Sequence, residues 1–150
     1  MQKRFVGLFL SVAASGLAAC GGMATQVEVK GGNEDVISLA GNWEGQYEGT
    51  ESGRSGGIKF SLELGRHTAD GEVMLGAGAP PLKISFVRVE GGQVSGKMEP
   101  YMDPNCSCTV QTEFLGLVHG DVADGTFTTR AVQTGSEQHG NWTVQRRKDG

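Results

Sequence analysis

The sequence predicts an all-β domain over residues 39–150, folded as an eight-stranded antiparallel up-and-down meander barrel. Apolar and polar residues alternate with a period of two between glycine-containing turns, as expected for half-buried strands. The 150 residues include 25 glycines and 4 prolines, a composition that suits many tight turns. Finally, no stretch of ten or more residues has the spacing of an amphipathic helix.

Eight strands follow from this alternation. The clearest is 58–64, in which four apolar residues alternate with three polar ones. Strands of this length, joined mostly by tight turns, form either a sandwich or a closed meander barrel. The predicted strands are 41–48, 58–64, 72–75, 82–89, 93–99, 107–118, 126–131 and 139–147.

The two ends of the domain favour closure into a barrel. The first and last strands both begin with Gly-Asn-Trp, at 41–43 and 140–142. In an even-stranded up-and-down barrel these strands are adjacent and antiparallel, which brings Trp43 level with Arg146. We expect the Arg146 guanidinium to stack on the Trp43 ring, a contact worth about 0.5–2 kcal/mol. Arg147 is the alternative partner.

This arrangement resembles the calycin superfamily, which includes lipocalins, fatty-acid-binding proteins and avidins. The shared mark of the superfamily is Gly-x-Trp on the first strand with an arginine of the last strand crossing the tryptophan. Gly41-Asn42-Trp43 and Arg146 match that mark. The resemblance implies a lipocalin-like or avidin-like barrel over residues 40–147. The chain is shorter than a lipocalin, lacks the helix and large first loop that cover a lipocalin cavity, and lacks the biotin-contact pattern of avidins.

The large apolar side chains of the strands are expected inside the barrel, where they would surround a small apolar ligand. With so many glycines, a barrel packed solid is the alternative. The expected interior residues are Trp43, Tyr47, Phe60, Leu62, Phe86, Phe114, Phe127 and Trp142.

The N-terminus has the pattern of an export signal. Lys3 and Arg4 precede an apolar run of about ten residues, which is too short to cross a bilayer. The run ends in Leu17-Ala18-Ala19-Cys20, which resembles the lipobox of bacterial lipoproteins. The resemblance implies that residues 1–19 are a removable signal peptide and that Cys20 is acylated, an anchor worth about 0.8 kcal/mol per buried methylene. The alternative is an ordinary signal peptide with Cys20 as a chance neighbour.

The expected location of the protein is the cell envelope. Lipoproteins kept in the inner membrane of enteric-type bacteria usually begin with Cys-Asp, and Gly21 departs from that start. We therefore expect a lipid anchor in the outer membrane, facing the periplasm, rather than in the inner membrane. Residues 20–38 are interpreted as the lipidated N-terminus and a flexible tether, with a short β segment at Gln26–Lys30.

Charge excludes nucleic acid as an expected partner. Removing 19 of the 150 residues leaves 131, and the loss of Lys3 and Arg4 changes the formal net charge from −4 to −6. An acidic chain without a basic cluster is a poor candidate for binding nucleic acid. The expected partners are the membrane, a small apolar ligand and another envelope protein.

The cysteines form a pair once Cys20 is assigned to a lipid. Cys106 and Cys108 then remain, and an even pair in an oxidising compartment predicts a disulfide. Closing so small a loop predicts a strained bond, which leaves a redox role open. A Cu(I) site is a second alternative, because Met98 and Met102 lie nearby and sulfur ligands favour that ion.

No motif of a catalytic site is present, so the protein is predicted not to be an enzyme, and no cofactor is expected. The sequence lacks Gly-x-Ser-x-Gly and His-Glu-x-x-His. His67, His119 and His139 are interpreted as solvated residues of turns or strand ends.

Three functions remain open from the sequence. The leading one is a lipid-anchored barrel that holds a small apolar molecule or has a passive role in the envelope. The second is a protein-binding module, such as an inhibitor of cell-wall lytic enzymes, that makes contact through loops 49–57 and 99–105. The third is copper or redox handling through Cys106 and Cys108.

Overall fold

The computed structural model describes residues 26–76 and 79–148. The predicted signal peptide and Cys20 lie outside the described residues. The described residues form one short helix, α1 (Asn33–Leu39), and ten strands. The strands are β1 (Gln26–Lys30), β2 (Gly41–Gly49), β3 (Ser55–Leu62), β4 (Thr68–Val73), β5 (Leu82–Glu90), β6 (Gln93–Met98), β7 (Tyr101–Asp103), β8 (Cys108–His119), β9 (Val122–Ala131) and β10 (Glu137–Arg146).

All ten strands belong to one sheet, which closes on itself. β2 pairs with β10, joining the first and last predicted strands, and β6 pairs with β8 to complete the ring. The eight predicted strands correspond to β2–β6 and β8–β10, each antiparallel to the next along the chain. The predicted all-β class and barrel are therefore confirmed.

The barrel has a ninth strand that the prediction of eight missed. β1 lies between β4 and β5, antiparallel to the first and parallel to the second. Val27 and Val29 point inward and are 0% and 2% exposed, whereas the alternate residues are exposed. Because burial of this valine pair holds β1 in the barrel, the tether prediction is wrong for residues 26–38. The expected β segment at Gln26–Lys30 is present.

The remaining short strand, β7, extends the barrel wall at one end. It pairs with the beginning of β8, beyond the stretch of β8 that pairs with β6. Glu99 and Pro100 separate β6 from β7. Proline has no N–H to donate to a ladder, which is consistent with a break in the pairing at this point.

Helix α1 covers one end of the barrel, called here the helix end. Val36 and Leu39 are buried there, and the Trp43 indole Nε1 donates a hydrogen bond to the Leu39 carbonyl at 2.9 Å. With only seven residues, the helix is too short to be recognised from periodicity. The opposite end, where the β2–β3 turn and β7 lie, is called the loop end. In the described part of the chain, no helix is long and apolar enough to cross a membrane.

Several glycines make room for aromatic rings inside the barrel. In each case a Cβ placed on the glycine would lie within 2.4 Å of a ring atom, so any other residue would displace the ring. Much of the glycine content of these strands therefore serves interior packing as well as turns. The pairs are Phe114 on Gly96, Phe127 on Gly140 and Trp142 on Gly116.

Candidate functional site

Trp43 and Arg146 meet at the helix end of the barrel. The register pairs the two residues directly, and Arg146 Cζ lies 4.6 Å from the centroid of the Trp43 ring. Arg146 Nη2 also donates to the Ser38 carbonyl of α1 at 2.7 Å, and Nε lies 3.3 Å from an Asp121 carboxylate oxygen. The alternative partner, Arg147, instead forms an ion pair with Glu44 on the outer surface.

A cavity of about 90 Å³ lies inside the barrel next to Trp43 and is called here the apolar compartment. Its wall is made of aliphatic and aromatic side chains from both halves of the barrel. The lining residues are Leu39, Trp43, Ile58, Phe60, Val73, Ile84, Val87, Val94, Met98, Phe114, Ala123, Trp142 and Val144.

A second cavity of about 80 Å³ lies toward the loop end and is called here the polar compartment. It adjoins the apolar compartment, because Ile58, Val73, Met98, Phe114 and Trp142 line both. The polar side chains that line it are Tyr47, Ser52, Arg54, Tyr101, Asp103, Thr112, Thr129 and Gln138.

An ion pair between Arg54 and Asp103 dominates the electrostatics of the polar compartment. Arg54 Nη1 and Nη2 donate to the two carboxylate oxygens at 3.0 and 2.9 Å, and the Asn105 backbone N–H donates to Oδ1 at 2.8 Å. The side chains of Arg54 and Asp103 are 17% and 7% exposed. The Arg54 hydrogen bonds hold the pKa of Asp103 below its usual range, and the carboxylate raises the pKa of Arg54. Both groups are therefore charged at neutral pH, and their charges cancel.

Hydroxyl groups and the amide of Gln138 supply the remaining polarity. Thr112 Oγ1 and Thr129 Oγ1 are 2.7 Å apart and share a hydrogen bond, and Tyr101 lies close to both. The Tyr47 hydroxyl donates to the Met74 carbonyl at 3.0 Å. Burial raises the pKa of Tyr47 and of Tyr101, so both phenols are neutral at neutral pH. Neutral hydroxyls can both donate and accept hydrogen bonds.

The structure brings together most of the residues predicted for the interior, with one correction. The exception is Phe86, which lies on the outside of β5, where Lys30 Nζ approaches its ring at 5.3 Å. A register shift between Ile84 and Phe86 reverses the alternation, so that Val87 faces inward in its place. Trp43, Tyr47, Phe60 and Leu62 are buried, and Phe114, Phe127 and Trp142 are half-buried along the cavities.

The two cysteines lie within disulfide-bonding distance of each other, as expected. Their Cα atoms are 5.1 Å apart, and Ser107 between them has a φ of 51°. The methionines proposed as further copper ligands are separated, because Met98 is buried inside the barrel and Met102 is 62% exposed. In the ranges 26–76 and 79–148, no group of three or more His, Cys, Asp or Glu residues could hold a metal ion.

Of the three histidines, His139 has the most defined surroundings. Its backbone N–H donates to Glu51 Oε2 at 2.7 Å, and its ring Nδ1 lies 3.0 Å from Oε1. These contacts tie the β2–β3 turn to β10, and the backbone hydrogen bond lowers the pKa of Glu51. His139 therefore helps to hold the loop end.

Sequence reasoning missed Arg54 and Asp103 as a pair. Each lies within a loop that the sequence singled out, 49–57 and 99–105, but 49 positions separate them. Only the closure of the barrel brings β7 next to the β2–β3 turn. The sequence shows a charged residue in each of the two loops. Charged residues are too common in loops for this to predict an ion pair.

The chain matches no known family model, and no curated protein shows significant similarity to it.

Proposed function

We propose that this protein is an envelope lipoprotein whose barrel binds a small, largely apolar molecule. The observation that carries the proposal is the unfilled interior, in which an apolar and a polar compartment adjoin. Protein interiors normally contain few voids larger than a water molecule. Two adjoining cavities at the centre of one barrel therefore favour a ligand-binding role.

The volumes limit the size of the ligand. An apolar cavity of about 150 Å³ is known to admit benzene, whereas typical ligand pockets are about 300–1,000 Å³. The two compartments measure about 90 and 80 Å³. A ligand that spans both is therefore about the size of a single aromatic ring with a short substituent.

Native mass spectrometry of the full chain, extracted from its own host in mild detergent, tests the proposal. We expect an adduct of low mass. Val73 lines both compartments, so Val73→Phe should fill them and remove the adduct. Leu117→Phe is the matched control, because Leu117 is exposed on the barrel exterior, and it should retain the adduct. The proposal fails if the wild-type chain carries no adduct, or if both variants retain it.

The anchor is part of the same proposal. Six Cα–Cα steps separate Cys20 from Gln26, the first residue of β1, and fully extended they span about 20 Å. An acylated Cys20 would therefore keep the barrel beside the outer membrane, on its periplasmic side. Cys20→Ser should abolish labelling by radioactive palmitate and release the protein from membranes. Persistent labelling would contradict the assignment.

A second candidate, a protein-binding module, is supported by the contact between the two predicted loops. The Arg54–Asp103 ion pair joins loop 49–57 to loop 99–105 on one surface. A lytic-enzyme inhibitor would use that surface, so Glu51→Lys should weaken inhibition of a muramidase by the purified protein. Glu34→Lys, at the helix end, is the control. Absence of inhibition by the wild-type protein would exclude this candidate.

A further inference from the structure

The polar compartment places a neutralised ion pair and a group of hydroxyls directly beside an apolar cavity. We infer that the barrel selects uncharged amphiphiles, meaning a ring-sized apolar body with one hydroxyl, carbonyl or amide group, over carboxylates and amines of the same size. This inference rests on the proposed function and names the ligand class of the same site.

The two compartments meet at a boundary formed by shared residues, among them Val73, Phe114 and Trp142. The inferred ligand lies across that boundary. The apolar compartment exposes only apolar surface and would take the hydrophobic body. A polar substituent would then lie at the loop end and form hydrogen bonds with the hydroxyls of Tyr101, Thr112 and Thr129.

The charges of the compartment are paired with each other. Asp103 accepts hydrogen bonds from both terminal nitrogens of Arg54 and from the Asn105 N–H. Among the described residues that line the compartment, no net charge is left to attract an ion. A buried ion without a partner loses its hydration at a cost of several kcal/mol. A neutral hydroxyl loses much less and regains hydrogen bonds from groups that both donate and accept.

Four probes of similar size test the inference: ethylbenzene, benzyl alcohol, benzoate and benzylammonium. Binding is followed by NMR through the two indole N–H signals of the protein. Trp142 Nε1 donates to the Thr126 carbonyl and reports on both compartments, whereas Trp43 Nε1 donates to the Leu39 carbonyl and reports on the apolar one. The sequence contains two tryptophans, so replacing one of them assigns both indole N–H signals.

We expect benzyl alcohol to bind more tightly than ethylbenzene. At neutral pH it should also bind at least about ten times more tightly than benzoate or benzylammonium. Equal affinities, or a preference for either ion or for ethylbenzene, would overturn the inference but leave the proposed function standing. If none of the probes shifts either indole signal, the inference and ring-sized ligand binding both fail.

Charge substitutions extend the test. Asp103→Asn leaves Arg54 without its counter-charge and should raise the affinity for benzoate relative to benzyl alcohol by about tenfold. Glu113→Gln makes the same change in net charge on the barrel exterior, where Glu113 pairs with Lys97 at 2.7 Å, and should leave the order of the probes unchanged. An unchanged order in Asp103→Asn would contradict the charge argument. Should that variant fail to fold, the four-probe series on the wild-type protein decides the question alone.

Discussion

Replacement of Arg146 by methionine should destabilise the barrel by about 3 kcal/mol. Methionine retains much of the aliphatic stem, which packs against Gly41, but removes the guanidinium. The loss comprises the stacking on Trp43, worth about 0.5–2 kcal/mol, and the charged hydrogen bond to the Ser38 carbonyl, worth about 1.5–3 kcal/mol. The ion pair with Asp121 adds little, because the Asp121 side chain is 54% exposed. Arg146 is 27% exposed, so water compensates only part of this loss.

Urea unfolding followed by tryptophan fluorescence measures this change, and Arg147→Met is the matched control. Arg147 is 64% exposed, and within the described residues its ion pair is with Glu44 on the surface, so its replacement should cost no more than about 0.5 kcal/mol. Because Arg146 holds α1 through Ser38, amide hydrogen exchange should also become faster in 33–39 in the Arg146 variant. A loss below about 1 kcal/mol, or equal losses in the two variants, would mean that the Arg146 guanidinium does not stabilise the helix end.

Three further substitutions test the barrel itself. Val27→Ala should cost about 2 kcal/mol in urea unfolding because Val27 is 0% exposed, whereas the exposed neighbour Glu28→Ala should be neutral; equal effects would mean that β1 is not part of the folded core. Gly125→Ala should cost about 3 kcal/mol or more, since its Cβ would lie 1.9 Å from a backbone oxygen of the neighbouring strand, while Gly57→Ala, with nothing closer than 3.9 Å, should be tolerated. Asp103→Asn should cost about 3 kcal/mol at neutral pH. Because the pKa of Asp103 is lowered in the folded state, the stability from the pair is present above the ordinary aspartate pKa and is lost as the pH falls through the lowered one. The gap between the wild-type and variant unfolding free energies should therefore narrow in acid, and a gap independent of pH would contradict this.

The strands of the barrel were largely predictable because each of them is buried on one face. Period-two alternation predicted the eight strands of the meander, although β4 begins four residues before the predicted strand 72–75 and shares only residues 72–73 with it. The Gly-Asn-Trp repeat predicted which two strands meet. The position of Arg146 on the last strand then followed from strand direction alone. These inferences need only local pattern and the rule that consecutive strands pair.

The errors arose where pairing is not local. β1 is five residues long and pairs with strands about 40 and 60 positions away, so the sequence indicated a β segment within a tether but not its place in the barrel. Phe86 was misplaced because alternation was assumed to continue through the register shift on β5. A bulge reverses which face of the sheet each later side chain of the strand points to, and no residue type in β5 predicts the bulge.

The two ends of the barrel differ in what holds them, which bears on how a ligand would enter. At the helix end, α1 covers Trp43, and Arg146 of the neighbouring strand β10 holds α1 through its hydrogen bond to the Ser38 carbonyl. At the loop end, the Arg54–Asp103 ion pair joins the β2–β3 turn to the short strand β7, directly beside the polar compartment. This ion pair can separate while β7 stays paired with β8, whereas exposing Trp43 requires displacing a helix from the core. We therefore expect exchange at the loop end, so that the groups proposed to select the ligand are also the first that it meets.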